Sequence, residues 1–263
     1  MEFNADTPTS LLEASVIQWQ WKEDVFPECD QFNGIHEGLV QSWKDIFPKK
    51  GEIYFAGALE NNEDTGTLQY LASTAMEAGF STRVLDMQAL DLQNGRFFDP
   101  AGELVNRCFK LYPWEWMVDE SPDGCLAEME WLEPIWKLVM SNKAILATLY
   151  ELFPDSPYVL PCYLSRPRSG LFCKKPVFSR EGHNVSVVDI RNWEEHVRIA
   201  ETEGDYNTGA YVYQEYVEPT AYSGRYPVIG SWIIGGEAAG IGIRENRMEV
   251  TDNLSEFVPH IIG

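Results

Sequence analysis

Residues 52–86 read EIYFAGALENNEDTGTLQYLASTAMEAGFSTRVLD, and this stretch decides the fold. Glu52–Gly57 opens it with an apolar run, the pattern of a short buried strand. A polar loop, LENNEDTG, follows. The spacing then predicts a helix from about Thr67 to Ala78, closed by Gly79, and a second strand over Phe80 to Asp86. Strand, loop, helix and strand in this order predict an α/β unit with a parallel pair. Its loop leaves the carboxyl end of the first strand, where such folds usually hold ligands.

Toward the amino terminus, Ser10 to Lys22 has apolar residues at helical spacing, with Thr9 or Ser10 expected as its cap. A second helical pattern covers Ile35 to Phe47 and stops before Pro48. Beyond the α/β unit, Phe97 to Tyr112 reads as a hairpin turning at Pro100-Ala101-Gly102, followed by a strand. Trp114 to Met140 is rich in Trp and Glu, and its later half is expected to be helical. Asn142 to Phe153 predicts an amphipathic helix.

From Pro154 the composition shifts to proline, glycine and β-formers. Strands are expected at Gly170–Pro176, Val185–Asp189, Ala210–Glu215, Tyr226–Ile234, Ala238–Arg244 and Met248–Thr251, interrupted by one helix over Trp193 to Glu203. A boundary near Pro154 follows, dividing 1–153 from 154–263.

The 263 residues carry 41 acidic and 20 basic side chains, a formal net charge of −21. Such a chain repels phosphate backbones and anionic bilayers, which argues against nucleic-acid and membrane-surface partners. Solubility explains the charge as simply as an attraction for polycations such as polyamines. No apolar run approaches the roughly 20 residues that cross a bilayer, and the first residues lack the pattern of a signal peptide. Five cysteines without CxxC spacing indicate neither a zinc site nor a disulfide framework, and point to a reducing cytoplasm.

Four constellations carry chemistry. Glu2 and Asn4, two apart on an expected strand, would project to one face and suit a hard cation such as Mg²⁺; a solvated strand edge fits the same pattern. Lys174-Lys175-Pro176 leads into the polar loop Phe178-Ser-Arg-Glu-Gly-His-Asn184, which reads either as a cover for nucleotide phosphates or as a surface hairpin. Gln214 and Glu215 end a strand where backbone and side chains can pair with an adenine edge, or where the strand is merely exposed. Arg244 follows the glycine-rich Gly240-Ile-Gly242-Ile, whose small residues would admit a ligand closely while the arginine neutralises a transferred phosphoryl group.

Taken together, eight stretches resemble the glutathionylspermidine synthase-like ATP-grasp ligases, in particular their stand-alone acid–amine ligase branch. They are FNADTPTSLLEASVIQWQW, DQFNGIHEGLVQSWK, PWEW, NKAILATLYELFP, KKPVFSREGHNV, YVYQEYVEP, GRYPVIGSWIIGGEAAGIGIRE and TDNLSEFVPHII, in family order along nearly the whole chain. The resemblance implies an α+β architecture with α/β elements, a permuted ATP-grasp fold like the ATP-binding domain of glutathione synthetase. It implies that ATP phosphorylates a carboxylate and that an amine attacks the acyl phosphate to give an amide. Carried onto this sequence, Glu2 and Asn4 are the expected Mg²⁺ ligands, and Lys143 and Lys175 the nucleotide-phosphate lysines. Gln214 and Glu215 lie where the adenine is held, and Arg244 is the expected catalytic arginine. Thr7 and Thr9 fall in the segment that contacts a glutathione or peptide-like acid, with Glu63 and Asp64 as further substrate-side candidates; the amine partner is expected to be a small molecule such as a polyamine.

The pattern departs from the family in two ways. Family members carry a long segment before Glu-x-Asn, with a further acidic metal ligand and a substrate arginine, whereas here Met1 directly precedes Glu2. The fused amidase domain of bifunctional members is also absent from this sequence. An N-terminally truncated ligase is therefore the leading expectation, and a non-catalytic remnant that binds nucleotide or a partner chain is the alternative.

Overall fold

The structure, a computed structural model, describes residues 2–180, 182–199, 202–204, 206, 209–250 and 255–263. Its contacts divide the chain into two units. One comprises Asn4–Leu138, Ile229–Ile243 and Phe257–Gly263; the other comprises Met1–Phe3, Val139–Val228 and Arg244–Glu256.

In the first unit a π-helical turn, Glu13–Ile17, runs into α1 (Gln18–Val25). The expected side-chain cap is not there: Ser10 has a left-handed φ of 60°, and no side chain caps the turn at Leu12. Helix α2 follows over Ile35–Ile46. Strand β1 (Glu52–Gly57), helix α3 (Asn62–Glu77) and strand β2 (Ser81–Asp86) form the expected parallel unit, with Glu52 to Gly57 in register against Ser81 to Asp86. Gly79, at φ 93°, closes α3, a conformation that glycine adopts without steric cost. A small antiparallel sheet, β3 (Asp91–Gln93), β4 (Arg96–Phe98) and β5 (Leu104–Val105), precedes β6 (Arg107–Leu111).

Trp114 to Met140 differs in part from expectation. A helix does fall in the later half, over Lys137–Ser141, but α4 at Trp114–Glu120 and α5 at Pro122–Cys125 lie early, and β7 (Glu130–Leu132) then pairs parallel to β6. Pro122 and Pro134 interrupt any longer helix, and the open edge of β6 recruits the intervening residues. The resulting sheet has the order β2-β1-β6-β7. Strand β1 is buried on both faces, in keeping with its apolar run. Ile53 and Phe55 pack with Leu68, Leu71 and Trp43, while Tyr54 and Ala56 pack with Phe97, Val105 and Cys108.

His260 also belongs to this unit. The Phe32 N–H donates to its Nε2 at 3.1 Å and Gln18 Oε1 lies 3.0 Å from its Nδ1, so the ring is neutral with its proton on Nδ1. Burial holds its pKa below the ordinary histidine value.

The second unit is mostly antiparallel. After α6 (Lys137–Ser141), which begins just before the unit's Val139, come α7 (Ile145–Leu152), β8 (Cys162–Tyr163), β9 (Gly170–Pro176), β10 (Ser186–Arg191), β11 (Glu194–Ile199) and β12 (Tyr211–Glu215). The sheet order is β11-β10-β9-β12-β8. Leu146 and Ala147 of α7 pack on Cys162 and Val212. Strands β13 (Tyr226–Ile234), β14 (Glu237–Asn246) and β15 (Glu256–Val258) form a further sheet, and the division between units passes through them. Met248 to Val250 is a series of bends rather than the expected strand, and Thr251 lies outside the described residues.

The helix expected at Trp193 to Glu203 is instead a turn at Trp193 and a strand over Glu194–Ile199, with Thr202 and Glu203 in neither helix nor strand. Arg191 pairs with Glu194 across Asn192-Trp193, both at positive φ (50° and 72°), so the two residues form a primed hairpin turn. Ala200 and Glu201 lie outside the described residues. Helical spacing in WEEHVRI gave way to ladder pairing with β10 and to Lys174, whose Nζ donates to Glu195 at 2.8 Å.

Two predictions follow from these elements. Trp193→Gly relieves a left-handed position that costs a side-chain-bearing residue about 1–2 kcal/mol, partly offset by the freer unfolded chain. The expected net gain is up to about 1 kcal/mol, read as a higher urea midpoint. For His260, the folded pKa lies below the unfolded one, so its stabilisation is complete above about pH 6.5 and is lost as pH falls through the folded value. The stability difference between the wild type and His260→Gln should therefore narrow from pH 7.5 to pH 5 in denaturant melts.

Candidate functional site

Strand β9 and the loop after it organise the polar end of the second unit. The Val177 N–H donates to the Ala210 carbonyl at 3.0 Å, and the Lys143 N–H donates to the Val177 carbonyl at 2.8 Å. The entrance to α7 is thereby fastened to the loop that follows β9. Asn142 helps start that helix, its Oδ1 accepting from the Ala144 N–H at 2.8 Å.

This fastening carries Lys143 into the interior, where only 4% of it is exposed. Its Nζ donates to the Ser179 carbonyl at 2.6 Å and stands 3.5 Å from a carboxylate oxygen of Glu2. Burial pushes the ammonium below its ordinary pKa. Glu2 opposes the shift, while the positive charges of Lys175 and Arg180 add to it. Lys175, two residues before the loop, donates to Gln214 Oε1 at 3.0 Å across the β9–β12 ladder. Three cations and one carboxylate thus converge around a polar loop, and the buried Ser179 hydroxyl has no hydrogen-bond partner among the described residues. A cluster of cations around a polar loop suits an anionic ligand.

The sequence reading therefore finds Lys143, Lys175, Gln214 and Glu2 brought together. Arg180 was missed, although it stands in the quoted loop; its signal was a third cation within five residues of Lys175. Gln214 is buried and engaged with Lys175, while Glu215 beside it is exposed, its N–H donating to the Pro161 carbonyl at 2.7 Å.

Other expected residues stand differently. Residues 2–5 belong to no strand, so no pleat aligns Glu2 with Asn4; Glu2 counts with the second unit and the exposed Asn4 with the first. Arg244 is half-buried on β14 and forms no ion pair among the described residues. The glycines before it do not make room for a ligand. A Cβ on Gly240 would meet Ile35 at 2.9 Å, and one on Gly242 would meet Phe257 at 3.1 Å, so both are small to admit protein neighbours. Glu63 and Asp64 are not in a loop. They form the first turn of α3 behind the Asn61 cap, where acidic side chains favour the helix dipole. Thr7 is half-buried and Thr9 exposed, both in the first unit.

The first unit holds a polar centre that the sequence reading did not single out. Asp6 and Lys110 are both fully buried and ion-paired. A lysine inside the apolar run of β6 was the available signal, since a charge in a parallel sheet demands a partner.

The sequence model of the glutathionylspermidine synthase preATP-grasp family matches residues 1–263. The chain belongs to this family. A Haemophilus influenzae protein named as an acid–amine ligase is 38% identical over 273 residues, covering 98% of this chain and 70% of that one. The trypanothione synthetase of Crithidia fasciculata is 28% identical, and the bifunctional glutathionylspermidine synthetase/amidase of Escherichia coli 26%. The chain spans 43% and 46% of the length of these two relatives. No helix among the described residues is long and apolar enough to cross a membrane.

The Glu2–Lys143 contact yields a direct check. Glu2 raises the Lys143 pKa against the effect of burial, so Glu2→Gln should move it further down. Titration of ¹³C-methylated Lys143 by NMR should show the lower midpoint.

Proposed function

We propose that this chain is the ligase part of an ATP-dependent acid–amine (C–N) ligase. In this reading ATP phosphorylates a small carboxylic acid, and an amine displaces the phosphate to form an amide. The observation that carries it is the convergence of Lys143, Lys175 and Arg180 on the loop after β9, in a chain whose relatives are named as ligases. Such a cluster suits a triphosphate, and the Ser179 hydroxyl offers a further donor.

Lys143, Lys175 and Arg180 then hold the phosphates, Gln214 and Glu215 bind the adenine side, and Arg244 offsets charge on the transferred phosphoryl group. Nucleotide binding falls mainly to residues 154–263 and the acid side to 1–153, within a permuted ATP-grasp fold. Among the described residues no group of three His, Cys, Asp or Glu side chains could hold a metal. The Glu2 carboxylate beside the cations nevertheless fits Mg²⁺, which binds one or two carboxylates and completes its shell with phosphate oxygens and water. Bound there, Mg²⁺ would neutralise phosphate charge. Thr7 and Thr9 bind the acid, with glutathione as the reference compound and a polyamine as the reference amine, in a reducing cytoplasm.

The test is ADP release with ATP, Mg²⁺, glutathione and a panel of amines. Release should require both the acid and an amine. Lys175→Met should weaken nucleotide binding at least about tenfold, since a hydrogen bond to a charged group contributes about 1.5–3 kcal/mol. Nucleotide binding without acid- and amine-dependent release would favour the remnant reading instead.

A further inference from the structure

Lys110 is the penultimate residue of β6, at the carboxyl end of the parallel sheet. Its Nζ donates to Asp6 Oδ1 and to the Tyr112 carbonyl at 2.8 Å, and stands 4.4 Å from the centre of the Trp114 ring. The other carboxylate oxygen of Asp6 accepts the Trp114 N–H at 2.7 Å. One carboxylate thus ties the segment after Asn4 to the end of β6 and to the start of α4. Two stretches quoted for the family resemblance, Phe3–Trp21 and Pro113–Trp116, meet at this pair.

A fully buried ion pair is a poor stability device, because desolvation offsets much of the attraction and apolar replacements are often neutral. What it supplies is a single geometry for the groups it joins. Here those groups border Thr7 and Thr9. The segment is fixed again at Ser10, whose carbonyl accepts the Ala14 N–H at 3.1 Å and whose φ of 60° turns the chain into the helical run. Asp6 to Ser10 is therefore held at both ends, while Thr9 is exposed and Thr7 half-buried. Preorganised side chains held by buried partners are how a binding segment keeps its geometry.

We infer that the Asp6–Lys110 pair is the positioning latch of the acid-binding segment, fixing Thr7 and Thr9 for the substrate carboxylate without touching it. This rests on the ligase reading, which assigns the acid to those threonines.

The experiment compares Lys110→Met, the apolar double variant Asp6→Leu/Lys110→Met, and Lys110→Arg. Lys110→Met alone should destabilise the fold, because it strands a buried carboxylate. The double variant should recover most of the stability. Its Ala14 amide, which donates to the Ser10 carbonyl at 3.1 Å, should nevertheless exchange at least about tenfold faster, and its KM for glutathione should rise at least about tenfold with KM for ATP within about twofold. A double variant that regains both amide protection and the wild-type KM for the acid overturns the latch. If the apolar variants do not fold, Lys110→Arg decides. It keeps the charge but misplaces Asp6, so a raised KM for the acid at near wild-type melting temperature supports the latch, and an unchanged KM overturns it. Absence of turnover in the wild type counts against the ligase reading, and the exchange measurement then judges the latch alone.

Discussion

The larger unit depends on β1 having parallel neighbours on both sides. Parallel pairing forbids a tight hairpin and demands a crossover, which α3 supplies between β1 and β2. It also buries β1 on both faces, so Ile53 and Phe55 need one set of apolar partners while Tyr54 and Ala56 need another. The small sheet of β3, β4 and β5 contributes Phe97 and Val105 to the second set. At the carboxyl ends of these strands the backbone runs out of ladder partners, and Lys110 and Asp6 meet there.

Two buried lysines illustrate two electrostatic solutions. Lys110 is enclosed by Asp6, the Tyr112 carbonyl and the Trp114 ring, so its charge is answered within the protein. Burial lowers its pKa and Asp6 opposes that shift. Lys143 is also buried but faces further cations, with Glu2 only partly compensating. The first arrangement fixes a segment, and the second invites an anion. Burial alone would not separate these roles; the sign of the surrounding charge does.

The α/β unit was legible because Glu52–Gly57, the following helix and Ser81–Asp86 each carry a local pattern that agrees with their tertiary surroundings. Strand β9 was legible to the residue for the same reason. Where local pattern and surroundings disagree, the surroundings prevailed. Trp193 to Ile199 has helical spacing, yet a hairpin turn and the edge of β10 made Glu194–Ile199 a strand. Glu130–Leu132 has too little length to announce a strand and exists because β6 offers an edge. The glycines at 240 and 242 were read as room for a ligand, because a sequence shows that space is needed without showing what fills it.

By itself the sequence determined the parallel unit, the strand-rich character of the later part and the presence of Lys143, Lys175 and Gln214 as chemistry-bearing residues. The elements, Lys175 and Gln214 follow from short-range periodicity and from residue types, which act over a few positions, whereas Lys143 was marked only by the family resemblance. Only the tertiary structure decided that Arg180 joins the two lysines, that Glu2 faces Lys143, and that Asp6 and Lys110 neutralise each other 104 residues apart. Charge pairing inside a protein is set by distance in space and by exclusion of water, and neither quantity is written in the order of the chain.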